Sequence, residues 1–96
     1  MFLILLTYQK PLSEVDALLE AHRAFLKAQY AAGHFLLSGP KMPRTGGVIL
    51  AQAESAEALQ AILALDPFYQ SGVAAYEVVQ FNAVASHPDL AQWLNA

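Results

Sequence analysis

The period of the apolar positions changes along the chain, and each change marks an element. Phe2-Leu3-Ile4-Leu5-Leu6-Thr7-Tyr8 is a nearly unbroken apolar run closed by Gln9-Lys10-Pro11. A half-buried strand would alternate, so the run predicts a strand buried on both faces. From Ser13 the period becomes helical, and Val15, Leu18, Leu19, His22, Phe25, Leu26, Gln29 and Tyr30 fall on one stripe. Ser13 with Asp16 three residues on reads as a capping-box variant. Gly33 supplies a left-handed stop after about Ala32. The opposite face is a row of alanines, Ala17, Ala21, Ala24, Ala28 and Ala31, which suits an exposed helix surface.

His34-Phe35-Leu36-Leu37-Ser38 predicts a second strand that ends at Gly39-Pro40, where proline removes a ladder donor. After the basic loop Lys41-Met42-Pro43-Arg44-Thr45, the segment from Gly46 to Ala53 predicts a third strand. The connection is short enough for an antiparallel hairpin. Ser55 caps a second helix with Glu57 in its first turn and Leu59, Ile62 and Leu63 on its buried face. That helix ends near Leu65, and Asp66-Pro67-Phe68-Tyr69-Gln70-Ser71-Gly72 separates it from a fourth strand, Val73 to Phe81. A tail from about residue 83 carries a short helix that starts at Pro88 and bears Leu90, Trp93 and Leu94.

The order strand, helix, strand, strand, helix, strand predicts an α+β, ferredoxin-like βαββαβ domain spanning residues 1–96. Its four-stranded antiparallel sheet would carry both helices on one face. The other face would be bare, yet the first strand is apolar throughout and Val48, Ile49, Leu50 and Ala51 extend the pattern. Monomers avoid large exposed apolar patches. Face-to-face packing of two copies, a dimeric α/β barrel, is the economical solution, and a higher oligomer built from such dimers is compatible with it.

Composition sharpens this picture. With 56% hydrophobic residues, 14% charged residues and a mean hydropathy of +0.36, the chain is too apolar for disorder and rather apolar for a small solitary monomer. The net charge is −3 and only five residues are Lys or Arg, so no basic stripe is available to neutralise phosphates and nucleic acid is not an expected partner. No segment reaches the roughly 20 apolar residues of a membrane span. Phe2 to Leu6 is too short for a signal-peptide core and lacks a basic leader, so a cytoplasmic location is expected. With no cysteine, thiolate chemistry and disulfides are excluded.

The chemistry-bearing positions are few. His22 lies in mid-stripe and points inward; a lone histidine there is ordinarily a satisfied core residue. Asp66 followed by Pro67 is a helix-start signature, aspartate at the cap and proline at the first position. Both lie on the helix-bearing face of the predicted sheet. A carboxylate has two oxygens and can cap a helix while orienting an imidazole. Ser38, Gly39 and Pro40 end a strand where a hydroxyl and backbone amides can meet a ligand, or form a plain turn. Arg44, with Lys41 nearby, could clamp an anion, or both could be solvated loop charges. His22, His34 and His87 fall on unrelated elements without a metal-ligand spacing, so no metal is expected. A Ser38–His22–Asp66 hydrolase is conceivable, but nothing resembles a nucleophile elbow, and acid–base use of His22 fits better.

Ala21-His22-Arg23, Gly33, Ser38-Gly39-Pro40, Gly46-Gly47-Val48-Ile49-Leu50, Asp66-Pro67-Phe68 and Gly72-Val73 together resemble the YciI-like, or YCII-related, family of small dimeric α/β-barrel proteins. The resemblance runs from the first strand to about Phe81. It implies a homodimer with a site built on a histidine–aspartate pair, roles that would fall to His22 and Asp66. Ser38 matches the family's small hydroxyl position beside the Gly-Pro turn. The expected function is a cofactor-independent enzyme that uses His22 and Asp66 for acid–base chemistry on a small organic acid, aromatic or enol-type, by elimination or isomerisation. Ser38, Gly39, Pro40, Arg44 and Phe68 would bind that ligand. The competing expectation is a non-catalytic metabolite-binding module, and a purely structural dimer is a third. A His22-to-Asp66 separation beyond one bridging water would sink the pair.

Overall fold

The N-terminal apolar run forms β1 (Phe2–Tyr8), the strand on which the rest of the sheet is assembled. β3 (Gly46–Ala51) and β4 (Ala74–Gln80) pair with it antiparallel on either side, and β2 (Phe35–Pro40) pairs antiparallel with β3. The sheet order is β2-β3-β1-β4, the ferredoxin-like arrangement. This computed structural model describes residues 1–94, the side chain of Leu94 excepted. Among the described residues no helix is long and apolar enough to cross a membrane.

The strand period of two sorts β1 into two faces. Phe2, Ile4 and Leu6 are 0–2% exposed and join Val15, Phe25, Leu59, Leu63 and Phe68 from the helices in one core. Leu3 and Leu5 point to the other face and are only half-buried. There the register lines up Leu3 with Leu50 and Val79, Leu5 with Val48, and Leu37 with Leu50. Within one chain, then, β1 is fully covered on one face, and the doubly buried strand read from the sequence is half complete.

The first helix departs from expectation in two places. It begins at Leu12, as α1 (Leu12–Ala17), with Pro11 at the cap position and no side-chain cap. The Pro11 carbonyl accepts the Glu14 and Val15 N–H groups, at 2.9 and 3.3 Å, so Ser13 lies inside the first turn rather than in the extended conformation a cap requires. At Leu18 (φ −106°, ψ 0°) the helix tightens, its N–H reaching back three residues to Val15, and α2 (Leu19–Ala31) resumes from there. Gly33 (φ +81°) follows the end of α2 as expected, and the alanine row faces solvent.

The second helix and the capped turn after it follow the sequence pattern. Ser55 caps α3 (Ala56–Leu63), its Oγ accepting the Ala58 N–H at 3.0 Å. Asp66 caps α4 (Pro67–Ser71), which ends at Gly72 with φ +74°. In the tail, a 3-10 turn (Pro88–Leu90) leads into α5 (Ala91–Leu94), and Leu90 and Trp93 remain exposed.

Two backbone details shape the cleft. The β2–β3 register slips between Phe35 and Leu37, so Phe35 and Ser38 lie opposite Ala51 and Ile49 of the core-facing row. Unbroken alternation would send Ser38 to the other face, and the bulge re-aims it toward the helices. At Gly46 a Cβ would sit 1.8 Å from the Leu6 carbonyl oxygen, so the backbones of β3 and β1 can meet there only through glycine.

Candidate active site

His22 sits in the buried stripe of α2 with Phe25 and Gln29. Asp66 arrives from the α3–α4 connection, where its cap geometry (φ −71°, ψ 125°) lets Oδ1 accept the Phe68 N–H at 3.0 Å. The same Oδ1 lies 2.8 Å from His22 Nδ1, across 44 residues of sequence. The capping reading and the partnering reading of Asp66 therefore both describe the same carboxylate.

Asp66 is fully buried. An unpaired carboxylate in that position would be prohibitively costly, so its donors define the site. Besides Phe68 N–H and His22, the Tyr76 hydroxyl donates to Oδ2 at 2.5 Å. Tyr76 lies on β4 opposite Leu6, hence on the core-facing side. Burial, and then the hydrogen bond to Asp66, push its phenol far above the usual range, so it stays protonated and remains a donor. Charge-assisted bonds of this kind are the strong ones.

The imidazole is held from its face as well. His22 stacks on Phe68 with ring centroids 3.9 Å apart and planes within 3°. Asp66 Oδ1 already accepts the Phe68 N–H and faces Nδ1 as an acceptor, so Nδ1–H donates to it and Nε2 is the ring nitrogen left with a lone pair. Among the described residues Nε2 has no hydrogen-bond partner.

His22 opens on a cleft of about 420 Å³ whose walls include Leu6, Tyr8, Leu19, Leu26, Ile49 and Phe68. Ser38, Gly39, Pro40 and Arg44, all expected at a ligand site, line it too. The Ser38 Oγ is hydrogen-bonded to the Tyr30 hydroxyl. Arg44 is bonded to Asp16 Oδ1 at 2.5 Å and its guanidinium lies 5.8 Å from the centre of the Tyr8 ring. The Asp16 contact raises its pKa further, so it is charged but already engaged. Lys41 does not join it; its Nζ donates to Thr7 Oγ1, 3.1 Å away. Among the described residues no three His, Cys, Asp or Glu side chains converge on a metal position.

The YCII-related domain matches residues 1–82. The chain belongs to the YCII-related family. Among solved structures it is similar to a 5-chloro-2-hydroxyhydroquinone dehydrochlorinase from Burkholderia phenoliruptrix AC1100, in complex with 2,5-dihydroxybenzoquinone. The two share 22% identity with a TM-score of 0.70, over 84% of this chain and 93% of that one, a likeness of fold. No curated protein matches.

Three residues of this YCII-related site escaped the sequence reading: Tyr76, Tyr8 and Arg23. Tyr76 alternates with Ala74 and Val78 on the inner face of β4, and a polar-tipped ring at such a position needs a partner, a signal that was there to be used. Tyr8 ends β1 and packs edge-on against Phe68, 6.1 Å between centroids. Arg23 follows His22 in the chain and lines the cleft.

Proposed function

We propose that this YCII-related protein is a cofactor-independent acid–base enzyme acting on a small organic acid, aromatic or enol-type, by elimination or isomerisation. The observation that carries the reading is the hydrogen-bonded series Tyr76–Asp66–His22, anchored by the Phe68 N–H and ending at a free Nε2 beside an apolar cleft. In this reading Nε2 removes a proton from the ligand, and Asp66 holds the ring and stabilises the imidazolium that forms. The electron pair left on the substrate then either expels a leaving group or moves along a conjugated system and is reprotonated elsewhere by His22. Neither outcome requires a nucleophile or a redox group from the protein. The fold neighbour is named for a dehydrochlorination, itself an elimination, which supports the reaction class without supplying the substrate.

The working unit in this proposal is a homodimer. Leu3, Leu5, Leu37, Val48, Leu50 and Val79 line the uncovered sheet face, with Leu37 57% and Val79 40% exposed. A second copy packed on that face removes the patch from water. Sedimentation at micromolar concentration is expected to give a dimer; a stable monomer there would count against it.

The function is tested by solvent deuterium exchange into a panel of enol and hydroxyaromatic acids, followed by NMR, with chloride release from 5-chloro-2-hydroxyhydroquinone as a first turnover assay. His22→Asn should keep the unfolding midpoint close to that of the parent and lower exchange or turnover roughly 100- to 10,000-fold, the usual contribution of a positioned base. If the parent protein binds panel members yet exchanges none, it is a metabolite-binding module and the enzyme reading is wrong.

A further inference from the structure

The polar side chains around the cleft differ in what they still have to offer. The Ser38 hydroxyl is bonded to Tyr30, and Arg44 is bonded to Asp16 while lying over the Tyr8 ring. Asp66 is sealed behind His22. Arg23 is different: it lines the cleft and, among the described residues, forms no ion pair or hydrogen bond through its side chain. Glu20, one turn earlier on α2, is not within ion-pair distance of it.

Its place on α2 gives the exception meaning. Leu19, Arg23 and Leu26 follow one another at i, i+4 and i+7, so they form a single row along the helix, and all three line the cleft. The row beside it, His22, Phe25 and Gln29, is the buried one. Arg23 thus stands between two leucines in the row, next in the chain to His22, as an exposed residue of an otherwise largely apolar cleft wall. A flat apolar ligand lying against Leu19 and Leu26 would bring any anionic edge to Arg23, whose fork is free for a bidentate contact.

We propose that Arg23, rather than Arg44, selects the charge of the ligand, and that the cleft takes planar organic monoanions, a carboxylate, phenolate or enolate on an apolar ring or conjugated frame. This rests on the acid–base reading of the site for its catalytic meaning, but the selection itself is a binding property. Proton abstraction beside an anionic group is assisted by a fixed cation, which gives such a residue two uses at once. Because Arg23 is exposed, the attraction is screened by salt and falls as ionic strength rises.

The test compares benzoate with benzamide, nearly the same shape with and without the charge, by titration calorimetry on the full chain. Wild-type protein should favour benzoate, with the preference shrinking in high salt. R23Q should lower benzoate affinity about tenfold, or about 1.4 kcal/mol, and leave benzamide unchanged. R23K should restore only part of the loss, because an ammonium keeps the charge without the fork, and R44Q should cost less than R23Q. An unaltered unfolding midpoint in R23Q separates lost recognition from lost structure. Failure of benzoate to saturate the wild-type protein at millimolar concentrations, no preference over benzamide, or a preference that survives R23Q and vanishes in R44Q would each overturn the assignment. The acid–base reading fails separately: charge selection lost in R23Q together with exchange that persists in His22→Asn leaves Arg23 standing and removes the general base.

Discussion

His22 and His34 make the same first contact and have different surroundings. Each holds Nδ1 2.8 Å from a side-chain oxygen, His22 from Asp66 Oδ1 and His34 from Gln29 Oε1. Both bonds place the proton on Nδ1. The Gln29 amide is neutral and the pair is only partly buried, beside a shallow hollow lined by Gly33, Gln52 and Ala58. Asp66 is a carboxylate with no exposed surface, bonded on both oxygens. A neutral acceptor sets a tautomer, whereas a buried, fully bonded carboxylate also stabilises the charged ring that proton transfer creates. Two histidines with the same hydrogen-bond length therefore differ in what stands behind the acceptor, and the proposed use of His22 rests on that difference.

Three substitutions probe that contrast, beginning with the largest effect. Asp66→Ala leaves the Tyr76 hydroxyl, the Phe68 N–H and His22 Nδ1 facing a buried void, and should lower stability by about 3–5 kcal/mol in urea unfolding. A loss under about 1 kcal/mol would mean that the buried network contributes no more than an exposed pair. Tyr76→Phe removes one of the donors and should destabilise by about 1–2 kcal/mol while keeping the ring packed near Tyr69. The same variant carries a pH signature. The folded protein keeps the Tyr76 proton where an unfolded tyrosine, with its usual pKa of 10.0, gives it up. This contribution to stability is therefore complete below pH 10 and declines as pH rises beyond it, and Tyr76→Phe should flatten that alkaline loss in unfolding curves. The smallest effect belongs to the other histidine. Gln29→Ala should cost about 1 kcal/mol and release His34 from its Nδ1–H tautomer, visible in imidazole nitrogen shifts, while the exchange proposed for His22 should be unchanged. Loss of exchange in Gln29→Ala would erase the distinction between the two sites.

Much of the fold was legible because it depends on local period and local breakers. The stripe on α2 turned His22 inward, and Asp66-Pro67 with Gly72 marked a short capped helix, both from spacing alone. The ferredoxin-like order followed from the sequence of periods. The misreadings were also local in form but not in cause. Ser13 looked like a cap, yet the Pro11 carbonyl had already taken the first helical N–H groups. The tightening at Leu18 has no proline or glycine to announce it. Arg44 was open to two readings, anion clamp or solvated loop charge, and its bond to Asp16, 28 residues away, could not be read from spacing.

By itself the sequence determined which residues face inward, where chain direction changes, and that an acid and a histidine belong to the helix-covered side of one sheet. Helical and strand periods are properties of neighbouring residues, so they survive in a string of letters. The tertiary structure alone decided that Asp66 Oδ1 meets His22 Nδ1, that Tyr76 closes the other side of the carboxylate, and that a bulge in β2 sends Ser38 toward the cleft. It also left Arg23, among the described residues, without a side-chain ion pair or hydrogen bond while pairing Arg44 with Asp16. These are matters of register and of side chains meeting across the sheet, fixed by ladder hydrogen bonds and core packing between distant segments, and such pairings leave no period along the chain.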